Sequence, residues 1–172
     1  MVFKIAGSII VIVSSVCIGR FYAQKLRFRL EALKELKRLM VIMKNDISYL
    51  ATPLPEIMGQ SRFADNSIFG KFFTHISEEL KKGGVAFSDV WERCVESDLD
   101  ETELTSVDKE EFKKVGGNFR ATDRQMQINQ YEHFIVHLDS EIEELSGEVA
   151  QKSRIYNLLG FSGGAFIVLI CF

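Results

Sequence analysis

Hydrophobic residues recur along residues 19–50 at alternating steps of three and four positions. This spacing, about 3.5 residues per repeat, is typical of a helix that packs along one seam against another helix. Arg29 is the one seam position that is out of character. The pattern therefore predicts a long first helix. Its seam positions are Tyr22, Leu26, Arg29, Leu33, Leu36, Met40, Met43, Ile47 and Leu50.

A second seam with the same rhythm lies near the other end of the chain and is interrupted only at Lys152. As helices, residues 20–50 and 123–155 would each be about 45–50 Å long. Two long helices that pair antiparallel within one chain are the simplest interpretation. Pairing of each seam with its copy in a second chain remains open. The positions of the second seam are Ile128, Tyr131, Ile135, Leu138, Ile142, Leu145, Val149, Lys152, Tyr156 and Leu159.

Short helices are predicted between the two seams. Thr52-Pro53-Leu54-Pro55 should end the first long helix and start another, with Thr52 as its N-cap. The next helix should end at Gly83-Gly84, because glycine favours helix termination. Its predicted apolar face consists of Ile68, Phe72, Ile76 and Leu80.

A further helix is predicted after a Ser88 cap, followed by an acidic loop over Glu96–Glu103. Another should begin near Ser106 or Asp108 and end at Gly116-Gly117, and Thr122 or Asp123 should cap the last long helix. No segment alternates with a period of two, so the predicted class is all-α. The apolar faces of these two short helices are Val90, Trp91, Cys94 and Val95, and Val107, Glu111, Phe112 and Val115.

Both ends of the chain are strongly apolar. Ile5 to Gly19 and Ile155 to Phe172 contain no charged residue, and a helix needs about 17–25 residues to cross a bilayer. The first segment, after a lone Lys4, has an alternative interpretation as a cleaved secretory signal. We predict membrane anchors over residues 1–19 and 156–172, with a helical domain over residues 20–155 between them.

Flanking charge predicts the orientation of these anchors. Arg20 and seven further basic residues up to Lys44 follow the first span, and Lys152 and Arg154 precede the second. Because cytoplasmic flanks are enriched in Lys and Arg, the middle domain should be cytoplasmic and both spans should continue outward.

Composition excludes several protein classes. With 47% hydrophobic and 26% charged residues, the chain is neither disordered nor fibrous. A net charge of −3 gives no support for binding nucleic acid. The three cysteines form no spaced framework, so we expect free thiols at Cys17, Cys94 and Cys171.

No catalytic motif is present in the sequence: there is no phosphate loop, nucleophile elbow or zinc-protease motif. His133 and His137 are one turn apart, with Glu141 one turn further. They fall on the outward positions of the last helix, which favours a solvated face over a metal site. A metal-dependent sensor or enzyme built on these residues, or on Cys94, is the alternative function, and we expect no cofactor.

Two other groups are candidate contact sites. Asp98, Asp100, Glu101 and Glu103 begin an acidic run that continues to Glu111 and is interpreted either as a docking patch for a basic partner or as a solvated loop. In the second span, Gly160 and Gly164 form a G-x-x-x-G pair that would allow close packing of membrane helices, unless these small residues simply face lipid.

Several segments in order resemble the stage III sporulation protein AB family of endospore-forming bacteria over essentially the whole chain. The corresponding segments are the corner Ala51–Glu56, the turn Val90-Trp91-Glu92, the entry Asp123-Arg124 and the closing Leu159–Gly164. Gly116-Gly117-Asn118-Phe119-Arg120 departs from the family pattern, which has a Leu-Gly pair at Phe119-Arg120.

The resemblance implies a place in the channel-like complex that the mother cell assembles in the outer membrane around the forespore. The family is similar to the inner-membrane platform proteins of type II secretion and type IV pilus machines. Implied partners are a secretion-type cytoplasmic ATPase, other membrane subunits and the bilayer. A second copy of the chain stays open as a partner.

Overall fold

The computed structural model describes residues 2–50, 57–58, 67–117 and 124–171, with the backbone alone for many residues near the two ends. All regular structure in these ranges is helical, which confirms the all-α class. The helices are α1 (Val2–Asn45) with a π-helical turn at Asp46–Leu50, α2 (Ile68–Lys82), α3 (Phe87–Asp98), α4 (Ser106–Gly117) and α5 (Arg124–Cys171).

The chain divides into two compact units. The terminal unit comprises Met1–Leu30 and Glu143–Phe172, and the middle unit comprises Glu31–Ile142. Among the described residues, no helix contains a stretch that is both long enough and apolar enough to cross a membrane. In the terminal unit, Tyr22 was predicted on the seam but is 54% exposed, so the prediction is wrong at that position.

In the middle unit, α1 and α5 pair antiparallel within one chain. Lys37 forms an ion pair with Asp139, and the Lys44 Nζ atom lies 3.2 Å from Glu132 Oε1. From the first pair to the second, the residue number rises by 7 on α1 (44 − 37) and falls by 7 on α5 (139 − 132). One heptad on each helix therefore separates the two pairs, as an antiparallel coiled-coil register requires.

The buried stripe on α1 follows the predicted seam. Leu33, Leu36, Met40 and Met43 are fully buried. Leu39, which lies beside the seam, is only 2% exposed. The stripe is therefore wider than the seam of an isolated helix pair, and it is typical of a helix inside a globular bundle.

On α5, the buried stripe is rotated relative to the predicted seam. Tyr131 and Leu138 are buried as predicted, and Phe134, beside the seam, is 6% exposed. The seam residues Ile135 and Ile142 are only half-buried. The rotation brings the ring of Phe134 to 5.7 Å from that of Phe112 on α4, in a stacked arrangement.

The predicted corner at Thr52–Pro55 and the predicted caps Thr122 and Asp123 lie outside the described residues. Before the corner, α1 ends in the π-helical turn, on which Tyr49 is 83% exposed.

α2 begins after a serine N-cap and ends at a glycine. The hydroxyl oxygen of Ser67 accepts a hydrogen bond from the Gly70 backbone amide at 3.0 Å. Gly83 ends the helix with a φ of 71°, a conformation that favours glycine. The predicted face is partly wrong, because Ile68 is 39% exposed and Leu80 is only half-buried. The buried hydrophobic residues are Phe69, Phe72, Phe73 and Ile76.

α3 begins after Ala86, so the prediction of a Ser88 cap is wrong. Ser88 is buried in the first turn, where its hydroxyl donates to Asp89 Oδ1 at 3.1 Å. The earlier start places the Phe87 ring 5.7 Å from that of Trp91, so an aromatic contact is made at the start of a helix that has no side-chain cap. The helix also continues to Asp98, so the acidic loop is shorter than predicted.

α4 is held at its start by a reciprocal pair of hydrogen bonds. Asp108 Oδ2 accepts from the Thr105 backbone amide at 2.8 Å, and Thr105 Oγ1 accepts from the Asp108 amide at 3.2 Å. This capping box explains why Asp108, a carboxylate, is buried. Phe112 and Val115 are buried as predicted, whereas Val107 is 64% exposed and does not belong to the apolar face.

Trp91 lies at the centre of the short helices and is fully buried. Its ring centroid lies 5.3 Å from that of Phe72 on α2 and 4.8 Å from that of Phe112 on α4. The indole Nε1 donates to the Phe112 carbonyl oxygen at 3.0 Å, which satisfies its one polar group. The side chain of Trp91 therefore contacts both neighbouring short helices.

The seam yields a stability prediction. Replacing Leu138, which is 2% exposed, with Asp should lower the free energy of unfolding by about 3–5 kcal/mol, because apolar burial is lost and a carboxylate is desolvated. Val136→Asp on the same helix is the control, since Val136 is 67% exposed. Denaturant unfolding followed by circular dichroism measures both. Equal midpoints for the two variants would contradict the intramolecular seam.

Candidate functional site

The acidic run does not form one surface. The Asp98 side chain is 20% exposed, and its Oδ2 atom lies 2.7 Å from His75 Nδ1 on α2. Its Oδ1 atom accepts a hydrogen bond from the Ser97 hydroxyl at 2.6 Å. Asp98 is therefore directed toward α2, and its carboxylate is engaged within the bundle.

The other acidic residues of the run are more accessible. The Asp100 side chain is 74% exposed and accepts from Lys109 Nζ at 2.7 Å. Glu101 is exposed, and Glu103 is half-buried and has an interaction within the chain. We define the acidic turn as Asp100, Glu101 and Glu103.

Lysines of α4 neutralise much of the acidic charge near this turn. Lys113 Nζ lies 2.7 Å from Glu110 Oε1 and 2.9 Å from Glu96 Oε1 on α3. The hydrogen bonds with Glu110 and Glu96 raise the pKa of Lys113 above its usual range. The pair with Glu96 connects α3 to α4, whereas the pair with Glu110 lies within α4, and exposed ion pairs of this kind contribute little to stability.

The residues His133, His137 and Glu141 do not form a closed site. His133 is exposed and His137 is half-buried, and both line a shallow cavity of about 190 Å³ on α4 and α5. Its lining also includes Lys114, whose Nζ lies 2.5 Å from Glu111 Oε1. Glu141 is not among the described residues that line this cavity.

A three-residue cluster that the sequence analysis missed lies between α2 and α3. His75 comes from α2, and Cys94 and Asp98 are one turn apart on α3. Their nitrogen, sulfur and oxygen atoms all lie within 4.8 Å of one another. The only signal in the sequence is the i, i+4 spacing of Cys94 and Asp98, because His75 meets them only after the helices pack. We refer to these residues as the His75 cluster.

The His75 cluster is poorly arranged for nucleophilic catalysis. Burial, and secondarily the charge of Asp98, raise the pKa of the Cys94 thiol to about 11, so at neutral pH the thiol is protonated. Cys94 Sγ lies 3.8 Å from His75 Nδ1, the same ring nitrogen that meets Asp98. A catalytic triad places its nucleophile and its carboxylate on different ring nitrogens.

Comparison with known proteins assigns the family. A family model described as "Stage III sporulation protein AB" matches residues 4–172. The chain belongs to the stage III sporulation protein AB family. A solved structure described as "Stage III sporulation protein AB (SpoIIIAB)" is similar with a TM-score of 0.65 and 20% sequence identity, over 72% of this chain and 97% of that chain. Among curated protein sequences, no significant match was found.

Of two features that were used in the sequence analysis, one is described by its backbone alone and the other lies partly outside the described residues. Gly160 and Gly164 are within α5, where the structure describes only the backbone. Asn118, Phe119 and Arg120, where the sequence departs from the family pattern, lie outside the described residues. The preceding Gly116 and Gly117 are described and close α4.

Gly116 generates a prediction for this member of the stage III sporulation protein AB family. A Cβ atom there would lie 2.0 Å from Cγ and Cδ1 of the Trp91 side chain. Gly116→Ala should therefore lower the free energy of unfolding by about 1–3 kcal/mol, through overpacking. Unfolding can be followed by the fluorescence of Trp91, since the sequence has one tryptophan.

Gly117→Ala is the matched control, because nothing lies within 4 Å of a Cβ atom at that position. It should leave the unfolding midpoint unchanged or raise it slightly, since alanine favours helix more than glycine does. A Gly116→Ala protein as stable as the control would show that the close approach of α4 to Trp91 is not required.

Proposed function

We propose that this protein is a membrane-anchored interaction platform of the sporulation complex and couples a cytoplasmic secretion-type ATPase to the membrane subunits. The observation that carries the proposal is the family match over residues 4–172, which supports a role in sporulation. The platform role rests on the family's similarity to secretion platform proteins. The sequence has no phosphate loop, which suits a protein whose partner handles ATP.

Membrane anchoring is supported by the two charge-free ends of the sequence and by the residues that follow the first charge-free segment. Phe21, Tyr22 and Phe28 are each more than half exposed, beside Arg20 and Lys25. Lys25 Nζ lies 5.2 Å from the centre of the Phe21 ring. Aromatic and basic side chains together are typical of the membrane interface on the cytoplasmic side.

Two contact surfaces follow from this proposal. The acidic turn would meet the ATPase, because its exposed carboxylates attract a basic partner. Gly160 and Gly164 would meet other membrane subunits or a second copy of the chain, because small residues allow membrane helices to approach closely.

Orientation can be tested at Tyr49, which is 83% exposed. In non-sporulating cells that express the protein with Cys17, Cys94 and Cys171 replaced by serine, Tyr49→Cys should resist a membrane-impermeant maleimide applied to intact cells and react after lysis. The physical reason is the positive charge flanking both spans, which should retain the middle domain in the cytoplasm.

A cysteine appended after Phe172 is the matched control and should react in intact cells, because the second span would carry it outward. Rapid labelling of Tyr49→Cys in intact cells would overturn the orientation and, with it, access to a cytoplasmic ATPase.

Partner contact can be tested by charge reversal on the acidic turn. Asp100→Lys combined with Glu101→Lys should reduce co-purification of the secretion-type ATPase from detergent-solubilised membranes. The loss should be larger at low than at high salt, because salt screens exposed charges.

Glu143→Lys combined with Glu144→Lys is the matched control, with the same change in charge at two exposed positions on α5. This control should retain the ATPase, and circular dichroism should show both variants folded. Undiminished binding by the acidic-turn variant at both salt concentrations would exclude that surface as the docking site.

A further inference from the structure

The His75 cluster brings three different kinds of ligand atom to one point. The Nδ1 atom of His75 lies 2.7 Å from Asp98 Oδ2 and 3.8 Å from Cys94 Sγ. Cys94 and Asp98 lie on the same face of α3, one turn apart, and that face packs against α2. The geometry therefore combines an i, i+4 pair on one helix with a single imidazole from its neighbour.

We propose that His75, Cys94 and Asp98 bind one divalent transition-metal ion of the zinc class between α2 and α3. Imidazole nitrogen, thiolate sulfur and carboxylate oxygen are the three ligand types that zinc uses in proteins. The Cys94 thiol, which is protonated in the metal-free protein, would release its proton to solvent as the ion binds. Calcium and magnesium prefer sites built from oxygen alone.

The observed distances are close to those of a tetrahedral site. Zinc bond lengths of about 2.3 Å to sulfur and about 2.0 Å to nitrogen or oxygen place sulfur and nitrogen about 3.5 Å apart, and nitrogen and oxygen about 3.3 Å apart. The sulfur–nitrogen separation in the cluster is 3.8 Å, and the nitrogen–oxygen separation is 2.7 Å. To hold the ion, the His75 nitrogen and the Asp98 oxygen would have to move apart by about 0.6 Å, and the Asp98 oxygen, which lies within 4.8 Å of the Cys94 sulfur, would have to settle about 3.5 Å from it.

The cluster is also accessible to an ion. The His75 side chain is 45% exposed, whereas Cys94 is buried, so the ion would enter past the imidazole. Three protein ligands leave a fourth position for water. Glu79, one turn after His75 on α2, is 20% exposed and is a second candidate for that position, although it is paired with Lys82.

A bound ion would join α2 to α3 at the surface of the bundle. Because the ion would bind the folded arrangement and not the separated helices, its binding free energy would add to the stability of the short helices. This role is independent of the proposed membrane platform, and it needs no catalytic step.

The test uses the full chain purified in detergent, stripped of metal and titrated with Co²⁺ and then with Zn²⁺. We expect about one equivalent of Co²⁺ to produce a thiolate-to-metal charge-transfer absorption, which Zn²⁺ displaces. Cys94→Ser should abolish that absorption. Asp98→Asn and His75→Gln should each weaken Zn²⁺ binding more than tenfold, since even a supporting partner of a ligand contributes about tenfold.

Cys17→Ser and the double variant His133→Gln with His137→Gln are the matched controls, and both should bind like the parent. Zinc should also raise the thermal midpoint of the parent and of both controls, and at the same zinc concentration it should raise that of Asp98→Asn, which retains the thiol, by less. Absence of the charge-transfer band in the parent, or its persistence in Cys94→Ser, would overturn the proposal. Equal zinc affinity in Asp98→Asn and the parent would overturn it as well, even if Cys94→Ser failed to fold.

Discussion

The packing of the short helices depends on burying one indole ring. α2, α3 and α4 are each too short to be stable alone, so their stability comes from tertiary contacts. Trp91 supplies these contacts on two sides, through Phe72 and Phe112, and its Nε1 donates to a backbone carbonyl. Its position requires that α4 present a glycine at Gly116, since a Cβ atom there would overlap the ring.

The same packing positions the His75 cluster. Phe72 and His75 are separated by about one turn of α2, and Trp91 and Cys94 by about one turn of α3, so each pair shares a helix face. Once the Phe72 and Trp91 rings are 5.3 Å apart, the neighbouring turns carry the imidazole toward the thiol. The cluster is therefore a consequence of the aromatic contact, whereas the exposed ion pairs along α4 contribute little to the arrangement.

The sequence was sufficient for the features that depend on local patterns. The buried stripe of α1 in the middle unit and the glycine end of α2 follow from periodicity and backbone preference, whereas the stripe on α5 is rotated toward Phe134. The buried face of α2 differs from the predicted one, because Phe69 and Phe73 pack inward in place of Ile68 and Leu80. Which residues pack inward depends on the neighbouring aromatic rings. The His75 cluster was not predictable for the same reason: His75 and Asp98 meet only through tertiary packing, which no spacing in one sequence encodes.

The ion pairs around the acidic turn constrain how a partner can recognise it. Asp100 already interacts with Lys109, so a basic partner at that position would exchange one ion pair for another and gain little free energy. Glu101 is exposed, and its charge would mainly accelerate encounter. Tight docking would then have to come from apolar contact, and the nearest large exposed hydrophobic residue in the sequence is Val107, at 64%. Val107 lies next to the capping box of α4, so its apolar side chain is exposed on a rigid helix start. It is also close in sequence to the charges that would attract a partner.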